Sequence, residues 1–254
     1  MAYQNIQLET KDGVGKIIIN RPPVNVLNIA TIEEMIDALS KFKTDDAVKI
    51  VAITAAGNRA FCAGVEVKDH IGAQLPKMIE TFGKLFVALQ EVDKPTVAIV
   101  NGVALGGGCE LVIGCDMAIA SDKATIGQPE VKLAVYPPIA AILLKRNVSS
   151  KKVFEIILSG DGITAAEAEK IGLVNKVVPD ADLAKAADEF LKKFTANSGL
   201  ALTENRRAVY YAMDLEFRKA LEVISADALN QMNGPNAVEG LTAWVEKRKP
   251  VWKR

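Results

Sequence analysis

"NGVALGGGCELVIGCD" (residues 101–116) carries three consecutive glycines, Gly106 to Gly108, ahead of Cys109 and Glu110 in an otherwise apolar run. Glycine inside a regular element costs roughly 0.5–1 kcal/mol relative to alanine, so a triplet marks a tight turn or a backbone that something must approach closely. Glu110 enters a stretch that reads as buried, where a carboxylate needs a reason. The preceding "PTVAIVNG" (95–102) reads as a strand and residues 105–113 as a helix with the glycines at its start. A strand, glycines and a helix start leave backbone N–H groups pointing outward with the helix dipole behind them, which stabilises negative charge. Two nucleotide-binding readings fail. A Walker A loop needs Lys-Ser/Thr after the last glycine, and a dinucleotide fingerprint needs glycine where Leu111 stands. An oxyanion hole survives as the functional reading, and it requires a second amide donor from elsewhere. An ordinary helix-start turn is the bland alternative.

Outward from this stretch, strands and helices alternate. "GKIIIN" (15–20) is a β-branched strand stopped by prolines, and "VKIVAIT" (48–54) and "CDMAIAS" (115–121) are further strands. "TIEEMIDALSKF" (31–42) is a helix in which Thr31 and Glu34 form a capping-box pattern. "AAGNRAFCAGVEV" (55–67) reads as a loop and "LPKMIETFGKLFVALQEV" (75–92) as a helix. "LVNKVVP" (173–179) is the last clear strand, and four helical segments follow from about residue 181. The pattern predicts an α/β core over residues 1–195 and a helical C-terminal region over 196–254 that packs on the core or on another subunit.

Composition narrows the chemistry. Half of the 254 residues are hydrophobic, 24% are charged, and 31 basic side chains balance 31 acidic ones. No global field attracts nucleic acid or an anionic membrane. No apolar run reaches the ~20 residues of a membrane span, and the N-terminus lacks a signal-peptide pattern. Cys62, Cys109 and Cys115 show no disulfide framework, so a reducing cytoplasm is expected. His70 is the only histidine, and no nucleophile elbow is present. Multi-histidine zinc sites are equally unsupported. Carboxylates and backbone groups are left to do the work.

The motifs "RPPVNVLN" (21–28), "FCAGVEV" (61–67), "PTVAIVNGVALGGGCELVIGCDMAIAS" (95–121), "ATIGQPEVKL" (124–133), "AAEAEKIGLVNKVVP" (165–179) and "AVEGLTAWVEKRKP" (237–250) resemble, in order and spacing, the enoyl-CoA hydratase/isomerase (crotonase) superfamily. The resemblance covers essentially the whole chain. It implies a crotonase-like spiral of repeated ββα units with a C-terminal helical region, and an acyl-CoA hydro-lyase. Gly107 and Ala63 would supply the oxyanion-hole amides for the thioester oxygen. Glu110 and Glu130 would be the catalytic pair, twenty residues apart, with Glu110 orienting water and Glu130 donating a proton. Ala60, Gly64, Val65, Val67 and Lys68 would contact CoA. The basic cluster Lys247, Arg248 and Lys249 is a further phosphate-contact candidate. No metal or other cofactor is implied, since CoA arrives with the substrate. Family members assemble as trimers or pairs of stacked trimers.

"YPPIAAILL" (136–144) departs from the Gly-rich segment that usually follows the second glutamate, and Glu66 replaces the usual loop aspartate. With "RPPVNVLN" and residues 67–86, this segment is most similar to cyclohexa-1,5-diene-1-carbonyl-CoA hydratases of anaerobic benzoyl-CoA degradation. Tyr136, Pro138 and Ile139 would then shape the acyl pocket, and 1,4-addition of water would give 6-hydroxycyclohex-1-ene-1-carbonyl-CoA. The alternatives are a hydratase for short linear enoyl-CoA and an enoyl-CoA isomerase. Some family members bind RNA, a reading that zero net charge and the intact glutamate pair disfavour.

Overall fold

The β-branched run near the N-terminus forms β2 (Val14–Ile19), paired antiparallel with β1 (Ile6–Lys11). In this computed structural model, which describes residues 3–253, β2 continues into a six-stranded sheet. Its further strands are β3 (Ile50–Ala55), β5 (Thr96–Val100), β7 (Met117–Ser121) and β10 (Lys176–Val178), all parallel to β2. A second sheet holds β4 (Ala60–Cys62), β6 (Val103–Leu105), β8 (Thr125–Gly127) and β9 (Gly162–Thr164) in that order. From β3 to β8 successive strands therefore alternate between the sheets, and a helix follows each pair in the spiral.

These helices are α1 (Ile29–Thr44), α2 (Leu75–Glu91), α3 (Gly107–Gly114), α4 (Pro138–Asn147), α5 (Ser150–Ser159) and α6 (Ala165–Lys170). Beyond β10 lie α7 (Leu183–Thr195), α8 (Gly199–Asp214), α9 (Phe217–Met232) and α10 (Pro235–Val245). No helix among the described residues is long and apolar enough to cross a membrane.

Three local expectations change. The loop expected at 55–67 contains β4, and β6 occupies the three residues before the glycine triplet. Strands of three residues are too short to display a period. Asn28, not Thr31, caps α1: its Oδ1 accepts the Thr31 N–H at 2.9 Å and the Thr31 hydroxyl at 2.7 Å. Asn is at least as good an N-cap as Thr. Glu34 is thereby free to accept the Gln4 and Asn5 N–H groups, both at 2.9 Å.

Alternation along the long sheet explains its two buried faces. Val51, Ile53, Ala98, Val100, Ala118 and Ala120 face the main core under α1–α4. Ile50, Ala52, Val97, Ile99 and Ile119 face the other way, onto Leu183, Ala187 and Leu191 of α7. The next helix is pinned by a polar clamp. Arg206 of α8 donates to Asp116 at 2.7 Å and to the Gln90 and Leu89 carbonyls at 2.7 and 2.9 Å. A cation at the end of α2 also complements that helix's dipole. α9 packs on α8, and α10 on both.

Candidate active site

Three neighbouring strands of the small sheet deliver the site. The chain leaves β4 into Ala63–Val65, β6 into Gly106–Glu110, and β8 into Gln128–Glu130. β4, β6 and β8 are parallel, so all three loops emerge at one sheet end. Carboxyl ends of parallel strands are where α/β proteins bind ligands.

The glycine triplet is explained position by position. Gly106 has φ +53°, and a Cβ there would lie 2.7 Å from Glu130 Oε1. A Cβ on Gly107 would lie 2.7 Å from Val65 Cγ2 and 3.1 Å from Phe82 Cζ. A Cβ on Gly108 would overlap the Cys62 carbonyl oxygen at 2.0 Å. The triplet lets α3 start against the β4 loop with almost no space between.

That close approach creates a pair of free donors. Gly107 opens α3, and its N–H has no hydrogen-bond partner among the described residues. Val65 N lies 3.4 Å from the position of a Gly107 Cβ and is likewise unpaired among the described residues. Ala63, the expected second donor, is engaged: its N–H donates to the Val24 carbonyl at 3.0 Å. The free N–H of this loop lies two residues later, at Val65. Val65 is held on both sides, because Leu27 N–H donates to Gly64 O and Glu66 N–H to Leu27 O, each at 2.9 Å. Arg21 completes the frame with an ion pair to Glu66 at 3.1 Å and a bond to the Val26 carbonyl at 3.1 Å.

Both glutamates lie close to Gly106, Glu130 through its carboxylate and Glu110 through its backbone N–H. Glu110 is only 3% exposed, and its N–H donates to Gly106 O at 2.9 Å. Its Oε1 accepts the Ala140 N–H at 2.8 Å, in the first turn of α4. Burial, aided by the Glu130 charge and opposed by the Ala140 and Ile139 N–H groups, pushes its pKa up to about 7. Near neutral pH Glu110 is therefore poised between its two protonation states, as acid–base chemistry requires. Burial also raises the Glu130 pKa, opposed by its own backbone N–H and by His70. Gln128 is wholly buried with its side-chain amide 3.1 Å from Glu130 Oε1 and 3.0 Å from Oε2, a placement in which only its nitrogen can donate to the carboxylate.

The remaining expected residues divide. Ala60 is buried in β4, and its carbonyl accepts from Asn25 Nδ2 at 2.8 Å. Gly64 is buried too, while Val67 and Lys68 stand exposed on a 3-10 turn (Val67–His70) beside the Val65 loop. Pro138 and Ile139 begin α4 next to Glu110, but Tyr136 is 75% exposed and lies outside the cluster. Within the "YPPIAA" segment it is the Ala140 N–H of α4 that contacts Glu110. Arg248 of the C-terminal basic cluster is committed to Glu239 and Glu246, each at 2.6 Å. All three cysteines are free and buried. No group of three or more His, Cys, Asp or Glu suited to a metal ion occurs among the described residues.

The family model for enoyl-CoA hydratase/isomerase matches residues 9–254. The chain belongs to this family. It is 36% identical to the crotonyl-CoA hydratase of Syntrophomonas wolfei, with 98% of each chain covered. It is 35% identical to the short-chain-enoyl-CoA hydratase of Clostridium acetobutylicum, covering 98% of this chain and 97% of that protein. The crystal structure of an enoyl-CoA hydratase from Bacillus anthracis superposes with a TM-score of 0.94 at 30% identity, covering 98% and 99% of the two chains. The fold is the crotonase spiral, and the protein is a hydro-lyase of the enoyl-CoA hydratase type with an acyl-CoA thioester as substrate.

Family membership gives the geometry its meaning, and three parts of that geometry were not legible in the sequence. Val65 was grouped with the CoA contacts, and its free N–H shows only once Ala63 is seen bonded to Val24. The Ala140 N–H reaches Glu110 across 30 residues. Gln128 stands two residues before Glu130 in "GQPE", a spacing that signals proximity but not which way an amide turns.

Proposed function

We propose that this enoyl-CoA hydratase acts on short linear 2-enoyl-CoA thioesters. The observation that carries the reading is the pair of pKa-raised carboxylates, Glu110 buried and Glu130 half-buried, close enough for the Glu130 charge to act on Glu110, with the free N–H groups of Val65 and Gly107 beside them. The thioester oxygen accepts from both N–H groups, which draws electron density from the β-carbon. Ionised Glu110 orients a water and takes its proton as the water oxygen bonds to the β-carbon. The electron pair of the double bond moves into the enolate held by the two amides. Glu130 then gives a proton to the α-carbon, and proton exchange with solvent resets the two carboxyl groups. CoA belongs to the substrate, and this scheme calls on no other cofactor.

The names of the relatives above support a linear substrate. A cyclic dienoyl-CoA is the second reading, favoured by one observation. Pro138 at the first position of α4 follows Pro137, so side chains and fixed φ angles replace a flexible segment beside Glu110. Purified protein should be given crotonyl-CoA and cyclohexa-1,5-diene-1-carbonyl-CoA, and kcat/KM for hydrated product compared. A higher value for crotonyl-CoA is expected. A higher value for the cyclic diene would reverse the two readings, and hydration of neither would overturn both.

We also propose that residues 196–254 join copies of the chain into a trimer or two stacked trimers. Phe217 of α9 and Trp244 and Val245 of α10 are 75%, 85% and 78% exposed, an unusual concentration of large apolar side chains at the surface that an interface between copies would cover. Sedimentation equilibrium should give the mass of three or six chains. A monomer at micromolar concentration would contradict the proposal.

A further inference from the structure

A partly open pocket of about 220 Å³ lies between α2, the end of α3, α4 and α8, with Arg146 and Tyr210 on its polar side. Gly83 and Phe86 of α2, Gly114 at the end of α3, and Ile139 and Leu143 of α4 line its apolar part. An apolar cavity of about 150 Å³ is enough to hold benzene, so this one has room for several carbons.

Two contacts tie the space to the reaction centre. Ile139 directly precedes Ala140, whose N–H holds Glu110, so one wall belongs to the same first turn of α4. Phe86 meets Phe82 edge to face, with ring centroids 5.1 Å apart and an interplanar angle of 80°. Phe82 in turn is buried, with Cζ 3.1 Å from the position of a Gly107 Cβ. Its ring is wedged between an amide donor and Phe86. Phe86 also packs closely on Gly114, where an added Cβ would lie 2.7 Å from its Cε1. Gly83 is different: a Cβ there would meet nothing within 4 Å.

We propose that the Phe82–Phe86 pair is the stop that sets acyl chain length, closing the reaction centre off from the space lined by Gly83, Phe86 and Ile139. The proposal rests on the enoyl-CoA hydratase reading and names its substrate class, acyl groups that end before the aromatic pair. Phe86 acts as a specificity-determining residue: it bars methylene groups that the space behind it has room to take.

The test is the ratio of kcat/KM for 2-decenoyl-CoA over crotonyl-CoA. Phe86→Ala should raise this ratio roughly tenfold or more, the scale on which pocket size discriminates methylene groups. Phe86→Leu removes the ring edge with less loss of volume and should raise it by a smaller factor. Adding Gly83→Leu to Phe86→Ala refills the space and should bring the ratio back towards the wild-type value. An unchanged ratio in both folded Phe86 variants would overturn the stop while crotonyl-CoA hydration by the wild type kept the hydratase reading intact. A wild type as efficient on decenoyl-CoA as on crotonyl-CoA would also overturn it. A wild type inert to both would bring down stop and hydratase reading together.

Discussion

Glu110→Gln is expected to lower kcat by roughly 10²–10⁴, the range for a positioned acid–base group, while making the folded protein more stable at pH 8. Both effects follow from burial. The folded protein keeps the Glu110 proton up to about pH 7, whereas a carboxyl with the ordinary value of 4.5 releases it earlier. The native state therefore binds more protons than the unfolded chain between these values, and stability falls as pH rises through that window. Above it, the ionised buried carboxylate costs up to about 3 kcal/mol. Glutamine keeps an oxygen for the Ala140 N–H and carries no charge, so the cost disappears with the activity. In the wild type, kcat/KM should rise with pH through an inflection near 7, and Glu110→Gln should lack that limb. The inflection belongs to the coupled pair, because Glu130 raises the Glu110 value. Glu130→Gln should lower kcat within the same range. Urea melts at pH 6 and pH 8 with a pH–rate profile check the account. A destabilised or fully active Glu110→Gln variant would remove Glu110 from its role.

Val65→Pro should cost roughly 10²–10³ in kcat, the usual loss for one oxyanion-hole donor. The variant deletes one N–H and little else. The ladder around it uses Gly64 O, Glu66 N and both backbone groups of Leu27, none of which belong to Val65. Val65→Ala keeps the donor and is the control, expected to retain most of kcat. Ala63→Pro separates the two amides differently. It breaks the bond to Val24 and should lower thermal stability before it lowers kcat in the protein that remains folded. Ala63→Pro active as wild type with Val65→Pro inert would fit the donor assignment. The opposite pattern would restore Ala63.

Long periodic elements were readable from their residues. The run 14–19, the helix 75–91 and the helices after 181 carry enough alternation or helical spacing to declare themselves. β4 and β6 do not, because three residues hold barely one period, and they pair with each other rather than with strands adjacent in sequence. Side chains were easier to single out than backbone groups: Glu110 and Glu130 stand out in the motifs, and in the fold they lie close enough for the Glu130 charge to act on Glu110. Backbone donors are harder to assign. Which amide of "FCAGVEV" is free depends on Val24, 39 positions before Ala63, and no pattern within the motif reports that bond. Tyr136, expected at the acyl pocket, was hard to place for a related reason. It neighbours the glutamates' supporting helix in sequence, but the prolines that start α4 leave it outside, facing solvent.

Crotonyl-CoA hydration by the wild type beside the Glu110→Gln/Glu130→Gln double variant tests the central claim most directly. Water addition destroys the conjugation between double bond and thioester, so the reaction is followed by loss of the enoyl absorbance and by chromatography of the product. The account predicts steady conversion to 3-hydroxybutyryl-CoA by the wild type and no conversion above background by the double variant. Conversion by the double variant at the wild-type rate, or no conversion by the wild type, would contradict it.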